Sequence, residues 1–252
     1  MNKISRRLWS EIRKRLKGKL YLLSYKSYWH YLFYKSNNIN EGQKFYYTAQ
    51  PNQGAGIGHQ IANWVAGYHY AKLFDLKFAH LPFSTNSWDD FLGLGNNETK
   101  AKDLMKIGYK LVRLPIFHCG NDKEIDLNAS IISSYGNCKI IFLASQDQFL
   151  RDLQIEIPCI KEKFFSAPAR KNDKIKYDNN NFNIAIHVSR GDIMTNPDYP
   201  GLAMRYLCND YYYKILKQVI GCLNTKKTIH IYFFSQGTPE DYPEFKEFNN
   251  MH

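Results

Sequence analysis

The sequence predicts an α/β fold with parallel sheets, because short apolar runs alternate with stretches whose apolar residues recur at helical spacing. One strand-loop-helix-strand unit lies between residues 44 and 81, and a second unit begins at residue 184. A polar segment, residues 171–183, separates them. We therefore expect two Rossmann-like halves, residues 41–170 and 184–252, joined by a linker and facing each other across a cleft.

The composition indicates a globular protein whose positive charge is concentrated at one end. The 252 residues are 44% hydrophobic and 15% aromatic, enough to bury a substantial core. Residues 1–36 contain ten Lys and Arg against one Glu, so they carry +9 of the formal net charge of +11. The rest of the chain is nearly neutral and has no obvious phosphate-binding stripe. This argues against a nucleic-acid-binding protein.

Residues 1–40 are predicted to form a basic, aromatic-rich N-terminal arm. Apolar residues recur every four positions on a basic helix, which Gly18 is expected to weaken: Ile4, Leu8, Ile12, Leu16 and Leu20. An aromatic run with interleaved lysines follows. Two interpretations stay open: residues 1–36 contact an anionic membrane surface peripherally, or their apolar stripe packs onto the body.

The location predicted from the sequence is cytoplasmic, with peripheral contact to the cytoplasmic face of a membrane as one interpretation. No stretch approaches the roughly 20 apolar residues of a spanning helix, and the N-terminus lacks the apolar core of a signal peptide. The five cysteines form no Cys-x-x-Cys pair and are predicted to be reduced core thiols; they stand at positions 119, 138, 159, 208 and 222. No metal site is expected.

The first half begins with a predicted strand, residues 44–49, followed by the glycine-rich loop Asn52–Gly58. A helix is predicted to run from this loop to about residue 75, and the next strand covers residues 76–81. A glycine-rich loop at a helix N-terminus lets backbone N–H groups approach an anion. The loop lacks the third glycine and the acidic partner of a dinucleotide site, and it lacks the Gly-Lys-Ser/Thr of a P-loop.

Residues 82–160 are less informative. A buried strand is predicted at residues 139–144, and Ile131-Ile132 is interpreted as the start of another. The pair Asp89-Asp90 resembles the metal-binding pairs of some transferases. Because no apolar strand flanks it, we interpret the pair as a solvated turn or helix cap.

The second half opens with a buried strand, Ile184–Ile186, and polar residues follow it directly: His187, Ser189, Arg190 and Asp192. Gly191 permits a tight turn among them. Ligands of open α/β sheets bind beyond the carboxyl ends of strands, and the planar arginine fork suits phosphate oxygens. A solvated polar turn is the alternative. A helix over residues 206–220 and a strand over 228–234, ending at Ser235 and Gln236, complete the unit.

Three patches resemble the fucosyltransferases that use GDP-fucose, a group that includes the alpha-1,2-, alpha-1,6- and protein O-fucosyltransferases. Gly56–Gln60 resembles their Gly-Leu-Gly-Asn-Gln opening, and His187–Asp192 resembles their His-x-Arg-Arg-Gly-Asp motif. The helix start Asp210–Tyr213 and the strand end Phe233–Ser235 resemble the elements that come next in the family. The resemblance covers roughly residues 45–250, in matching order and spacing.

The resemblance implies a GT-B-like enzyme that transfers fucose from GDP-fucose to a glycan hydroxyl without a metal or other cofactor. In such an enzyme an arginine stabilises the leaving diphosphate, and Arg190 is the candidate. His187 would orient the strand end or touch the nucleotide, and residues 184–252 would begin the nucleotide-binding domain.

The remaining candidate residues would bind substrate. The resemblance implies that Gly56 and Gly58 let the first loop close over the sugar phosphate, while His59 and Gln60 present their side chains to donor or acceptor. Asp192 and Ser189 lie in the motif turn. Ser235 and Gln236 would lie near the base or ribose.

Three departures from the family pattern support an alternative, a degenerate or truncated glycan- or nucleotide-binding relative without turnover. Ser189 stands where the family has its first arginine, and His59 replaces an asparagine. His252 lies only 17 residues beyond Ser235, so the second half is expected to be incomplete. A membrane-surface adaptor with an α/β body is a third, weaker hypothesis.

Overall fold

The computed structural model describes residues 15–34, 45–52, 54–136, 138–144, 153–175, 177–191, 204 and 206–252. The chain divides into two compact units, Met1–Asp173 and Lys174–His252. The predicted linker, residues 171–183, spans this division. Its first residues belong to the 3₁₀ turn Pro168–Asn172, and its last two already belong to a strand.

The first unit contains a five-stranded sheet in which every pair of neighbours is parallel. Its strands are β1 (Tyr46–Ala49), β2 (Lys77–His80), β3 (Thr99–Lys100), β4 (Lys110–Arg113) and β5 (Ile140–Ala144). Their order across the sheet is β3-β2-β1-β5-β4. The predicted α/β class with parallel strands is therefore confirmed, and three of these strands match predicted ones.

Helices α1 (Gly18–Leu23) and α2 (Lys26–Phe33) precede β1. The successive strands are connected by α3 (Ile57–Leu73), α4 (Asn86–Leu92), α5 (Ala101–Lys106) and α6 (Asp122–Ser134), and α7 (Ile157–Ser166) follows β5. The helix predicted after the glycine-rich loop is confirmed as α3. The strand predicted at Ile131-Ile132 is wrong, because both residues lie in α6. The Asn121 side chain caps this helix by accepting a hydrogen bond from the N–H of Glu124.

The two faces of the first sheet are buried differently. Tyr47 and Phe142 point into the larger core, where they meet Trp64 and Tyr70 of α3. The alternate residues of the same strands pack on the other face against α5, as Ile141 does. The close fit of α3 on β1 requires Gly67, since a Cβ atom there would lie 2.6 Å from the Cβ of Ala49.

The second unit contains two parallel strands, β6 (Phe182–Val188) and β7 (Ile229–Ser235), and the helix α8 (Asn209–Cys222). After β7 the chain forms the 3₁₀ turns Pro239–Asp241 and Pro243–Glu247. Met251 then forms a parallel bridge with Ile231 of β7.

The second unit buries one face of β6 only. Ile184, Ile186 and Val188 pack in its core with Leu216 of α8, whereas the alternate Ala185 and His187 are exposed. The prediction of a fully buried strand is therefore wrong for one face. An uninterrupted apolar run does not by itself distinguish a strand buried on both faces from one covered on a single face.

The predictions for the arm are met in part. Residues 1–14 lie outside the described residues, so Ile4, Leu8 and Ile12 are not placed. Gly18 has a φ of +56° at the start of α1, which agrees with a weakened helix at this position.

The five cysteines, all among the described residues, form no disulfide. The prediction that they are core thiols is wrong for Cys138, Cys208 and Cys222, which are exposed. Cys119 and Cys159 are half-buried, and Cys119 packs against the larger core. In the part of the chain that the structure describes, no helix is both long enough and apolar enough to cross a membrane.

Candidate functional site

Four of the predicted site residues, Ser189, Arg190, Ser235 and Gln236, come together at the carboxyl edge of the second unit. They do so because β6 and β7 are parallel and in register, with Val188 paired to Ser235. The Ser235 hydroxyl donates a hydrogen bond to the Val188 carbonyl at 2.6 Å and so joins the two strand ends. The sheet topology thus supplies the polar edge that the sequence predicted.

Gln236 shapes the turn that follows β6. Its Oε1 accepts hydrogen bonds from the backbone N–H groups of Arg190, at 3.1 Å, and Gly191, at 2.9 Å. A Cβ atom at Gly191 would lie 3.3 Å from Nε2 of Gln236, so the glycine lets the amide approach closely. Gln236 therefore positions Arg190 through its backbone.

The Arg190 side chain is almost fully buried, with 7% of the residue exposed. Nη2 donates to Oδ1 of Asn209 at 2.6 Å, and Nη1 donates to the Ser189 carbonyl at 3.1 Å. The guanidinium also lies over the rings of Tyr206 and Tyr212, 4.8 and 5.7 Å from their centroids. These hydrogen bonds use two of its five N–H donors.

The positive charge of Arg190 has no carboxylate within ion-pair distance among the residues that the structure describes. Asn209 links the guanidinium to a carboxylate, because its Nδ2 donates to Oε2 of Glu244 at 3.3 Å. The same Nδ2 also donates to the backbone carbonyl of Asp241 at 2.8 Å. A buried guanidinium that has donors without a partner among the described residues is suited to bind an anion.

A pocket of about 370 Å³ lies beside this edge, and the sequence analysis missed it. Ser235 and Thr238 contribute to its lining together with Lys246, and aromatic rings form much of the rest: Phe233, Tyr242, Phe245 and Phe248. The Tyr242 hydroxyl donates to the Gln236 carbonyl, and its oxygen lies 2.5 Å from Oγ of Ser235. The available signal was the three-residue spacing of the aromatic residues 242, 245 and 248.

Of the other two candidates of this motif, His187 does not join the cluster. The His187 side chain is exposed on the face of β6 opposite to Ile186 and Val188, away from the core of the unit. Asp192 lies outside the described residues. The geometry therefore gives no support to His187 as a residue that orients the strand end.

In the first unit the glycine-rich loop leads directly into α3. Gly54 has a φ of +87°, which favours glycine at that position. A Cβ atom at Gly56 or Gly58 would meet no atom within 4 Å, and His59 is exposed. As far as the described residues go, the space around the first turn of α3 is therefore open for a ligand to approach its backbone.

Gln60 does not present its amide to this open space. It is 1% exposed, and its Nε2 donates to the Ala55 carbonyl at 3.0 Å and to Oγ of Ser84 at 2.6 Å. Its Oε1 accepts the N–H of Ser84 at 2.9 Å. The geometry therefore favours Gln60 as a positioning residue that fastens the loop, with Ser84 as the partner that the sequence did not reveal.

A buried network lies near Ser84. Nε1–H of Trp64 donates to Nδ1 of His80 at 3.2 Å, so the proton of this neutral ring is on Nε2, which donates to Oδ1 of Asp89 at 3.0 Å. Burial acts to raise the pKa of Asp89, but the hydrogen bonds from His80 and from the Phe83 N–H hold it below its usual value.

The interpretation of Asp89-Asp90 as a solvated turn or cap is therefore wrong for Asp89. This residue lies within α4, and its carboxylate belongs to the His80 network. Among the described residues no group of three or more histidine, cysteine or acidic side chains is placed to hold a metal ion.

Comparison with known proteins identifies no relative: no family model matches the chain, and no curated protein or solved structure resembles it significantly.

Proposed function

We propose that this protein is a GT-B-like glycosyltransferase that transfers fucose from GDP-fucose to a hydroxyl of a glycan acceptor. The observation that carries the proposal is the Arg190 guanidinium, held at the carboxyl edge of two parallel strands with donors left for an anion. The motif resemblance supplies the identity of the donor. We also propose that the enzyme acts in the cytoplasm.

In the proposed reaction the acceptor hydroxyl attacks the anomeric carbon of fucose and gives up its proton to water, and the bond from that carbon to the diphosphate oxygen breaks. Negative charge then grows on the leaving GDP. Arg190 would stabilise this charge through its free N–H donors, which is the role a metal plays in other transferases. Gln236 and Asn209 would keep the guanidinium in place during the reaction.

The aromatic pocket at the carboxyl end of β7 is the proposed site of the nucleoside. Rings such as Phe233 and Tyr242 offer surfaces on which a base can stack, and Lys246 adds a positive charge. In the first unit, the loop Gly54–Gly58 and the start of α3 would favour a phosphate or sugar oxygen by means of their N–H groups.

The test is a calorimetric titration of the full chain with GDP, and with UDP for comparison. Arg190→Ala should weaken GDP binding about 10- to 100-fold, the loss expected for a charge-assisted hydrogen bond. Arg170→Ala is the matched control, since Arg170 also lies over aromatic rings and donates to a carbonyl, that of Phe91. Equal GDP affinity in the wild type and Arg190→Ala would contradict the proposal.

A binding protein without turnover is the second candidate. It is favoured because the Ser235 hydroxyl and the Gln236 carboxamide oxygen already form hydrogen bonds within the protein, so these two groups are not offered to a substrate. Ser189, in the place of the family's first arginine, points the same way. GDP release from GDP-fucose, compared between the wild type and Ser189→Arg, separates the two: activity that only the arginine restores would mark a degenerate relative.

A further inference from the structure

The helices α1 and α2 expose a set of apolar side chains that we call the aromatic face. It consists of Leu20, Trp29, Leu32 and Phe33, which are 63%, 43%, 42% and 71% exposed. The rings of Trp29 and Phe33 stack with their centroids 5.8 Å apart and their planes nearly parallel. Nε1–H of Trp29 donates to the Leu23 carbonyl at 2.6 Å, which fixes the indole across the corner between the two helices.

The opposite side of the same helices packs against the rest of the first unit. Oγ of buried Ser27 donates to the Arg113 carbonyl at 2.7 Å, and the Tyr21 hydroxyl accepts the N–H of Ile116. The His30 ring stacks on Tyr135 at 3.8 Å. Packing on the body therefore accounts for one side of α2, and the aromatic face is what this packing leaves exposed.

The segment that carries the aromatic face is basic. Residues 15–34 contain four exposed basic residues and no acidic one: Arg15, Lys17, Lys19 and Lys26. Lys26, Trp29 and Phe33 follow one another at helical spacing on the outer side of α2. Exposed aromatic rings next to lysines suit the interface of an anionic bilayer, where negatively charged headgroups lie directly above the apolar acyl chains.

We propose that the aromatic face binds the surface of an anionic lipid membrane, with Trp29 and Phe33 entering the headgroup boundary and the lysines contacting lipid phosphates. The two interpretations of the N-terminal arm then apply to opposite sides of the same helices. This proposal does not depend on the transferase activity. It also explains why the positive charge is concentrated on one segment of an otherwise nearly neutral chain.

The experiment is sedimentation of the full chain with phosphatidylcholine vesicles that contain phosphatidylserine, and with phosphatidylcholine vesicles alone. We expect binding to the first and little to the second. Lys17→Gln, Lys19→Gln and Lys26→Gln together should weaken binding, with a loss of roughly fivefold per lysine. The matched control, Lys102→Gln, Lys161→Gln and Lys226→Gln, removes the same charge elsewhere and should bind like the wild type.

The apolar part is tested by Leu32→Ser with Phe33→Ser, which we expect to reduce binding roughly tenfold through lost apolar burial. Phe165→Ser, at a ring that is 69% exposed in α7, is its control. Circular dichroism checks that each variant is folded. No binding by the wild type would overturn the proposal and favour a protein partner, and binding that none of the aromatic-face variants reduces would overturn it as well.

Discussion

The carboxamide oxygen of Gln236 accepts the backbone N–H groups of both Arg190 and Gly191, at 3.1 and 2.9 Å. One side chain after β7 thus holds the turn after β6, 46 residues earlier in the chain. Because the Arg190 side chain bonds to the Ser189 carbonyl in the same turn, its position depends on this contact.

Gln236→Ala should lower the free energy of unfolding by about 1–2 kcal/mol, because it leaves two backbone donors without their acceptor. It should also weaken GDP binding, since the turn that carries Arg190 is released. Gln236→Glu keeps an acceptor oxygen, so we expect it to retain stability while its negative charge still weakens binding. Chemical denaturation and GDP titration measure the two effects separately.

The control for these variants is Gln218→Ala, at an exposed position of α8 in the same unit. It should change neither quantity. If Gln236→Ala were as stable as the wild type, the hydrogen bonds of Gln236 would not hold the turn.

The strands of the second unit were predictable because they depend on the local pattern of apolar residues. Its polar edge was predictable because the carboxyl ends of parallel strands lie at the same edge of a sheet. Gln236 and Arg190 meet because the parallel strands that precede them end at the same edge. The placement of His187 was not predictable in the same way, since the face of a strand depends on which side a helix covers. An apolar run is compatible with either face.

Long-range partners explain the other differences. Gln60 was predicted from its loop position to touch a ligand, but its partner Ser84 lies 24 residues away. The aromatic pocket depends on how the 3₁₀ turns fold back on β7, which helix and strand periodicity does not describe. Asp89 likewise has a partner, His80, that only the fold brings close.

The packing of α3 on β1 predicts opposite results for two glycines of the same helix. Gly67→Ala should destabilise the protein by about 1–3 kcal/mol, because the new Cβ would overlap with Ala49 at 2.6 Å. Gly58→Ala meets open space and should leave stability unchanged or increase it by up to about 1 kcal/mol. Thermal denaturation of both variants provides the comparison, and equal melting temperatures would contradict the close helix-strand contact.

The hydrogen bonds of Asp89 predict that the free energy of unfolding falls at acid pH. Its pKa is held below the usual value in the folded state, so its contribution is present above the unfolded pKa near 4 and is lost as the pH falls through the folded pKa. Asp89→Asn should cost about 1 kcal/mol at pH 7, because neutral hydrogen bonds replace charged ones. The difference from the wild type should shrink in denaturation experiments as the pH falls through the folded pKa. A difference that stays constant with pH would mean that the charge of Asp89 does not matter.

Because the buried carboxylate of Glu156 is paired with Lys72, we expect substitutions of the two residues to have non-additive effects on the free energy of unfolding. Nζ of Lys72 bonds to Oε2 at 2.7 Å, and Nδ1 of His69 lies 3.2 Å from Oε1. Lys72→Met removes the compensating charge and should destabilise the protein by about 1–2 kcal/mol, since the exposure of Lys72 reduces the effect. Adding Glu156→Gln removes the uncompensated charge, so the double variant should be more stable than Lys72→Met alone. Urea denaturation of the two single variants and the double variant measures this coupling, and strictly additive losses would show that the pair does not interact.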